Sequence, residues 1–306
     1  MLFRSDRLSE YRLNIYQALR DLSGVSVYAQ GKLFQDRKVF EECVDESLPI
    51  VFSKNEFTIE TNNDSVTNSI QYYLSRPFKD PTRVRYLHID LGLTNDATGI
   101  ACCYKDGETV ADGITTPTYA FDFSLRIVPP PLPRRISIAR VNEFILHLSR
   151  VLKIGMVSMD QFQSSASLQF FEENRIPCKY RSVDRNDKAY VFFVECMYRR
   201  IVKFPTDFAE AIRHELFNLD WNRAKQKVDH PGDTASGYAK DRMDAVVGAL
   251  YNAYDDVIPA EFSGDLLSLA SLNPSANLSF RDTGNFSLSS SLHPSSLSSD
   301  FLGDTC

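Results

Sequence analysis

One stretch constrains this 306-residue chain more than any other, because an apolar run ends in an acid, turns tightly and continues as a second apolar run. The stretch is Tyr86–Cys103, with Asp90 at the end of the first run and Gly92 two residues later. The pattern predicts a strand, a polar turn and a returning strand. Burying a carboxylate is costly unless it is paired or bound to metal. We therefore expect Asp90 to belong to a functional site.

The chain after this hairpin alternates between strand and helix patterns. A third strand is predicted over 119–128, where prolines end it because they cannot donate to a sheet ladder. Helices are predicted over 137–152, 164–174, 188–201, 207–219 and 240–254, strands over 154–159 and 178–183, and a basic hairpin-like stretch over 221–238. This order predicts an α/β fold in which antiparallel hairpin strands join parallel strands in a mixed sheet flanked by helices.

Three regions are expected along the chain. Residues 1–82, with one amphipathic helix predicted over 8–22, are interpreted as a linker or docking segment. Residues 83–256 contain the α/β pattern and form the predicted domain. Residues 257–306 are rich in serine and are expected to be disordered.

Composition narrows the class of protein. From Asp255 onward there are seven acids and one base, which accounts for the whole net charge of −6, so overall acidity does not exclude DNA binding. The six cysteines show no CxxC spacing, which favours a reduced intracellular protein. The sequence shows no apolar run of about 20 residues and no apolar signal-peptide core, so a soluble protein without membrane contact is expected.

Further acids stand where a sheet of this kind gathers side chains. Asp160 ends a predicted strand, and Asp241 and Asp244 open the final helix. Because strand ends and helix ends converge on one crevice, these acids and Asp90 are expected to meet there. Carboxylates gathered without cations suit Mg²⁺ or Mn²⁺, and such a cluster can hold two ions that act on a phosphodiester.

Each acid also has a simpler explanation. Asp90 could bond the turn amides, Asp160 could cap the next helix, and Asp241 could favour the helix dipole. Asp244 lies beside the apolar stripe of its helix and is harder to explain in this way. The set is therefore more informative than any member.

These motifs resemble a known family. The run D-L-G-L-T-N-D-A-T-G, the strand-end Asp160, K-V-D-H-P and K-D-R-M-D-A-V-V-G-A-L-Y-N together resemble the nuclease domain of tailed-bacteriophage large terminase subunits, over roughly residues 83–254. The resemblance implies a ribonuclease-H-like fold and metal-dependent cutting of concatemeric double-stranded DNA during genome packaging. Asp90, Asp160 and Asp244 match the acidic triad of the family, and Asp241 matches an auxiliary metal-site residue.

The same resemblance implies partners and a location. Double-stranded DNA, the packaging ATPase half or subunit, the portal and the small terminase subunit are the implied partners, in the cytoplasm of the infected bacterial host. The sequence contains no G-x-x-x-x-G-K-[ST] loop, so no ATPase motif is found in this chain. The ATPase half is then either a separate chain or missing from a fragment.

Candidate DNA contacts are basic residues in the second half of the predicted domain. One group lies near a helix end, and the other lies on the hairpin-like stretch, where it would guide phosphates without reading sequence. The two groups are Arg199, Arg200 and Lys203, and Arg223, Lys225 and Lys227. A solvated charged surface is the alternative for each residue, and His230 fits either a ligand or an ordinary turn.

Two other functions remain open from the sequence. The letters I-D-L-G-L-T-N also resemble the first phosphate loop of actin-like and sugar-kinase-like ATP-binding phosphotransferases. That fold needs a second domain with another Asp-Gly loop, for which the chain has little room. A non-catalytic docking module of a packaging motor, in which the acids are structural, is the third possibility.

Overall fold

The computed structural model describes residues 31–58, 74–93, 96–111, 114–160, 164–222, 225–230 and 239–257. All of them belong to one compact unit. The helix predicted over 8–22 and nearly all of the serine-rich tail lie outside the described residues.

A seven-stranded sheet forms the centre of this unit, with strand order β1-β4-β3-β2-β5-β6 and with β7 also paired to β4. The strands are β1 (Glu56–Thr58), β2 (Val84–Asp90), β3 (Thr98–Ala111), β4 (Ile114–Val128), β5 (Lys153–Met159), β6 (Cys178–Tyr180) and β7 (Val202–Lys203). Strands β2, β3 and β4 are antiparallel neighbours, whereas β5 and β6 continue parallel to β2. The predicted mixed sheet, in which antiparallel hairpin strands join parallel strands, is thus confirmed.

Helices cover both faces of the sheet. They are α1 (Arg37–Glu42), α2 (Ile138–Val151), α3 (Ser165–Glu173), α4 (Lys188–Tyr198), α5 (Thr206–Asn218) and α6 (Asp241–Val257). One apolar core lies between the sheet and α1, α4, α5 and α6, and a second lies between the sheet and α2 and α3. Side chains of β2 point alternately to the two faces of the sheet, so Tyr86 lies in the first core and Leu87 and Ile89 lie in the second.

Helix α6 lies close to β2 and β3 because small residues line the contact. Ala245, Ala249 and Ala253 are fully buried there. At Gly248 an added Cβ would lie 2.3 Å from Cγ of His88, so the helix backbone and the ring leave room only for glycine. His88 shares the α6 face of β2 with Asp90, two residues later, since side chains alternate along a strand.

The described part of the predicted linker packs on the same two cores. Strand β1 pairs in parallel with the end of β4, and Phe52 and Phe57 are buried in the core under α2. Phe34 and Phe40 are buried in the other core. The division of the chain at residue 83 stays a prediction. Three strand residues and one six-residue helix carry too little periodicity to be recognised from sequence.

A small hairpin follows α5, formed by β8 (Asp220–Asn222) and β9 (Lys227–Asp229). It lies within the stretch predicted to be hairpin-like, although residues 223–224 and 231–238 are outside the described part. Among the described helices, none combines the length and apolar character needed to cross a bilayer.

Candidate active site

Asp90 is the last residue of β2, and Asp160 directly follows β5, which is the parallel neighbour of β2. Ile89 on β2 is in register with Met159 on β5, so the residues that follow them, Asp90 and Asp160, lie side by side on the two strands. Neighbouring strands lie about 4.8 Å apart. The sheet therefore brings these two predicted site residues to the same edge.

The loop after Asp90 is closed by hydrogen bonds within the first hairpin. The amide of Gly92 donates to Oγ1 of Thr98 at 3.1 Å, and the same hydroxyl donates to the carbonyl of Gly92 at 2.9 Å. Thr98 is fully buried. These bonds fix the chain that leads away from Asp90.

The first turn of α6 lies directly beside Asp90. Gly99 on β3 is paired with Asp90, and a Cβ on Gly99 would lie 1.9 Å from the carbonyl oxygen of Asp241. Only glycine at this position lets the helix start so close to the strand. This contact brings Asp241 and Asp244 to the edge that carries Asp90 and Asp160.

Asp244 is held by two donors. Its side chain accepts a 2.5 Å hydrogen bond from the hydroxyl of Tyr190, and Nζ of Lys240 lies 3.2 Å from its Oδ2. The residue is 3% exposed. Burial raises the pKa of Asp244 to about 7, although Lys240 acts in the opposite direction.

Lys240 also contacts Asp184, which follows β6. Burial alone would lower the pKa of Lys240, but Asp244 and Asp184 hold it above its usual value. The lysine therefore stays charged between the two carboxylates. Neither this ion pair nor Asp184 was anticipated from the sequence, where Asp184 carries no signal that separates it from Asp187.

Asp90 is repelled by three neighbouring acids. Burial is the largest cause that raises its pKa well above the usual value, and Asp244, Asp241 and Asp184 add to the effect. Within the part of the chain that the structure describes, no side-chain hydrogen bond or ion pair of Asp90 is found.

Asp241 and Asp160 are each engaged by a neighbour. Nε of Arg126 lies 3.3 Å from Oδ2 of Asp241, and burial raises the pKa of that carboxyl despite the arginine. The hydroxyl of Ser182 donates to Oδ2 of Asp160 at 3.0 Å. Arg126 and Ser182 lie far from their partners in sequence, so sequence reasoning missed both.

No three His, Cys, Asp or Glu side chains among the described residues are arranged as a metal-binding group. Lys240 and Tyr190 engage Asp244, Arg126 engages Asp241, and Ser182 engages Asp160. The chemistry of the donors nevertheless fits a hard divalent cation, because all are carboxylates. Burial is the main cause of the raised pKa of Asp90, and the neighbouring Asp244, Asp241 and Asp184 raise it further although Lys240 lowers it.

One group of predicted DNA contacts lies at the far end of the sheet. Val202 pairs with Tyr119 on β4, seven residues before Arg126, which pairs with Gly99 at the site end. That separation is about 20 Å along the strand. Each member of the group lies beside an acid, with Arg199 next to Glu195, Arg200 next to Glu42 and Lys203 next to Asp45. The DNA role of these three residues stays a prediction.

Lys225 and Lys227 of the second group lie on the β8–β9 hairpin, nearer the acids. The indole of Trp221 donates to Asp187 at 2.7 Å, which anchors the hairpin to the start of α4. Burial raises the pKa of Asp229 on β9, but Lys240 and Lys227 lower it overall, so the hairpin end lies within the electrostatic reach of the site. Lys225 is exposed on this hairpin, and Arg223 lies outside the described residues. His230 has Nε2 3.9 Å from its neighbour Asp229.

Comparison with solved structures returns large terminases of bacteriophages. The large terminase of the thermophilic bacteriophage D6E is similar at 11% identity and a TM-score of 0.49, covering 82% of this chain and 53% of that one. The HK97 bacteriophage large terminase is similar at 14% identity and a TM-score of 0.43, and the match covers 72% of this chain and 43% of that one. The large terminase nuclease from thermophilic phage G20c is similar at 14% identity and a TM-score of 0.44, and the match covers 74% of this chain and 98% of that one.

This chain spans about half the length of the full large terminases that it matches. No family model and no curated protein matches it. At such identities and TM-scores the similarity carries no conclusion about activity.

Proposed function

We propose that this chain is a metal-dependent endonuclease that hydrolyses phosphodiester bonds of double-stranded viral DNA during genome packaging. The observation that supports this best is the convergence of acids from three elements. Asp90 ends β2, Asp160 directly follows the adjacent parallel strand β5, and the start of α6 carries Asp244 to the same edge through its contact with Gly99.

The metal would be held by Asp90, Asp160 and Asp244, with Asp241 in an auxiliary position. Hard oxygen donors favour Mg²⁺ or Mn²⁺. Two such ions would bind at this site. When bound, such ions supply charge neutralisation of the phosphate and an activated water as the nucleophile.

The remaining side chains orient these acids. The Tyr190 hydroxyl fixes one oxygen of Asp244, and the Ser182 hydroxyl fixes one of Asp160. Arg126 holds Asp241 and also reaches Glu56 on β1 at 3.5 Å, so β1 stabilises the rim of the site. Lys240 lowers the repulsion between Asp184 and Asp244.

The context of the reaction is proposed from what the similar proteins are. Their names describe large terminases, and one describes a large terminase nuclease. On this basis the partners would be a packaging ATPase half or subunit, a portal and a small terminase subunit, in the host cytoplasm. The hairpin with Arg223, Lys225 and Lys227 would guide the duplex toward the acids.

A plasmid-cleavage assay tests the proposal. The purified chain is expected to nick or linearise supercoiled DNA with Mn²⁺ or Mg²⁺ and to be inactive in the presence of a chelator. Asp90→Asn and Asp244→Asn are expected to abolish cutting, since each removes a charge that would hold the metal. Asp106→Asn is the matched control, because Asp106 lies on β3 seven residues beyond Gly99 and pairs with Lys79 and Arg83.

Two results would reject the proposal. If Asp90→Asn and Asp244→Asn cut as well as the parent, these acids do not act in the reaction. Stoichiometric ATP binding by a chain that does not cut DNA would favour the kinase-like alternative instead.

A further inference from the structure

A proline-rich loop between β4 and α2 carries exposed positive charge. Its sequence from residue 129 is P-P-P-L-P-R-R-I, and residues 131–135 are all exposed, including Arg134 and Arg135. Between residues 126 and 140 the chain has four arginines and no acid, although the whole chain has a net charge of −6. Arg126 pairs with Asp241 at the site and Arg140 pairs with Glu143, whereas Arg134 and Arg135 lie on the exposed part of the loop.

The loop lies against the chain that leaves Asp90. The amide of Ile136 donates to the carbonyl of Leu93 at 3.1 Å. Leu93 is three residues after Asp90, so the loop contact lies within about 11 Å of that acid along the chain. Arg135 precedes the contact directly, which puts its backbone at the same rim.

The loop is anchored at both ends. Pro130 is buried, and Ile136 is 2% exposed in the core under α2. The amide of Arg134 closes a turn on the carbonyl of Pro131 at 3.2 Å. Proline also restricts the backbone, so the loop has less backbone conformational freedom to lose on binding.

Electrostatics gives the loop a role beside an acidic site. Duplex DNA carries about one negative charge per 1.7 Å of its axis. The carboxylates around Asp90 therefore repel the DNA backbone. A duplex with one phosphate at the acids therefore places further phosphates within about 10 Å of them. Positive charge at that distance offsets the repulsion without entering the site.

We propose that the loop of residues 129–136 contacts the sugar–phosphate backbone of duplex DNA through Arg134 and Arg135, and so positions the strand at the acidic edge. The inference rests on the proposed nuclease function and adds contacts to it. In this proposal the two arginines bind the strand beside the acids and take no part in the chemistry at the reacting phosphate.

Binding of a short labelled duplex, measured by fluorescence anisotropy in chelator at several salt concentrations, tests the inference. The double variant Arg134→Ala/Arg135→Ala is expected to bind about tenfold more weakly at low salt. The slope of log affinity against log salt is expected to fall by about one to two, because each phosphate contact contributes about 0.9. Arg134→Lys/Arg135→Lys should keep most of the slope, since the charges remain.

The matched control removes two positive charges at the other end of the sheet. Arg37 and Lys38 are exposed at the start of α1, near β7, since the amide of Asp45 just after this helix bonds the carbonyl of Phe204. Arg37→Ala/Lys38→Ala should bind with the slope of the parent. Thermal melting of both double variants should match the parent, which separates lost contacts from lost folding.

The outcomes distinguish the inference from the function on which it rests. If the parent binds and cuts DNA while the loop variant keeps the parent slope, the inference is wrong and the nuclease proposal stands. The loop would then be a better match for a polyproline ligand of an aromatic groove in a protein partner. If the parent neither binds nor cuts DNA, both are wrong.

Discussion

Nζ of Lys240 lies 3.2 Å from Oδ2 of Asp244, and the two residues are one helical turn apart. The lysine side chain is 14% exposed and that of Asp244 is 4% exposed. Because Lys240 also contacts Asp184, the acidic edge contains a cation of its own. Its removal would leave a buried carboxylate beside Asp90 with the hydroxyl of Tyr190 as its remaining described donor.

Lys240→Met is therefore expected to destabilise the protein by about 3 kcal/mol when no divalent ion is added, since breaking a buried ion pair leaves an unpaired charge. Denaturant unfolding measures this change. Addition of Mn²⁺ should stabilise the variant more than the parent, because an ion bound only by the folded chain supplies the missing charge.

Lys105→Met serves as the control for that change. Lys105 pairs with Glu108 at 2.6 Å on the surface, where both side chains are more than one third exposed. An exposed pair contributes about 0–1 kcal/mol. Equal effects of the two substitutions would mean that Lys240 does not compensate the site.

Gly99→Ala is expected to separate α6 from the sheet at the site. The added Cβ would lie 1.9 Å from the carbonyl of Asp241, which the backbone must relieve by moving. Overpacking of this kind costs about 1–3 kcal/mol, and it would also displace Asp244 from Asp90. Unfolding free energy and plasmid cleavage should both fall.

A second alanine substitution on the same strand controls for loss of glycine. At Gly107 an added Cβ would lie 3.5 Å from Oγ1 of Thr118, an ordinary contact. Gly107→Ala should leave cleavage and stability close to those of the parent. The close approach of α6 is contradicted if Gly99→Ala behaves in the same way.

Stability should depend on pH through Glu215. This residue is 8% exposed and accepts hydrogen bonds from the amides of Arg242 at 3.1 Å and Met243 at 3.0 Å. Burial raises its pKa from 4.5 to about 7, against the effect of the Met243 amide. The folded chain therefore binds more protons than the unfolded chain between these values.

The free energy of unfolding is therefore expected to fall as pH rises. The contribution of Glu215 is fully present below about pH 4.5 and is lost as pH rises through about 7. Glu215→Gln keeps an acceptor and removes the titration, so the parent should lose about 1–3 kcal/mol relative to the variant across this window. Unfolding curves of both proteins at several pH values measure the difference. Parallel curves would contradict the raised pKa.

The sequence predicted the parts of the site that depend on local pattern. Alternation and turn residues located β2 and β3, so Asp90 was placed at a strand end, and the parallel pairing of β5 explains why Asp160 ends beside it. Apolar spacing located α6 and left Asp244 at its start. These features need only neighbours along the chain.

The contacts between distant segments were not predictable in this way. Tyr190 and Lys240 meet Asp244 only because α4 and α6 pack on the same face of the sheet. Likewise, β7 pairs with β4 at the end of the sheet opposite to the acids, and this pairing places Arg199 and Arg200 there. Their charge alone had made them candidates for a DNA contact. Pairing of strands across more than eighty residues leaves no periodic signal in either segment.

The central claim is that Asp90, Asp160 and Asp244 share a divalent ion, and anomalous scattering from crystals grown with Mn²⁺ tests it most directly. We expect an anomalous peak about 2.1 Å from carboxylate oxygens of Asp90 and at least one of the other two acids, with the third in reach of the same ion or a neighbouring one. The Asp90→Asn variant should lose the peak. A peak elsewhere, or three carboxylates that stay apart at saturating Mn²⁺, would contradict the claim.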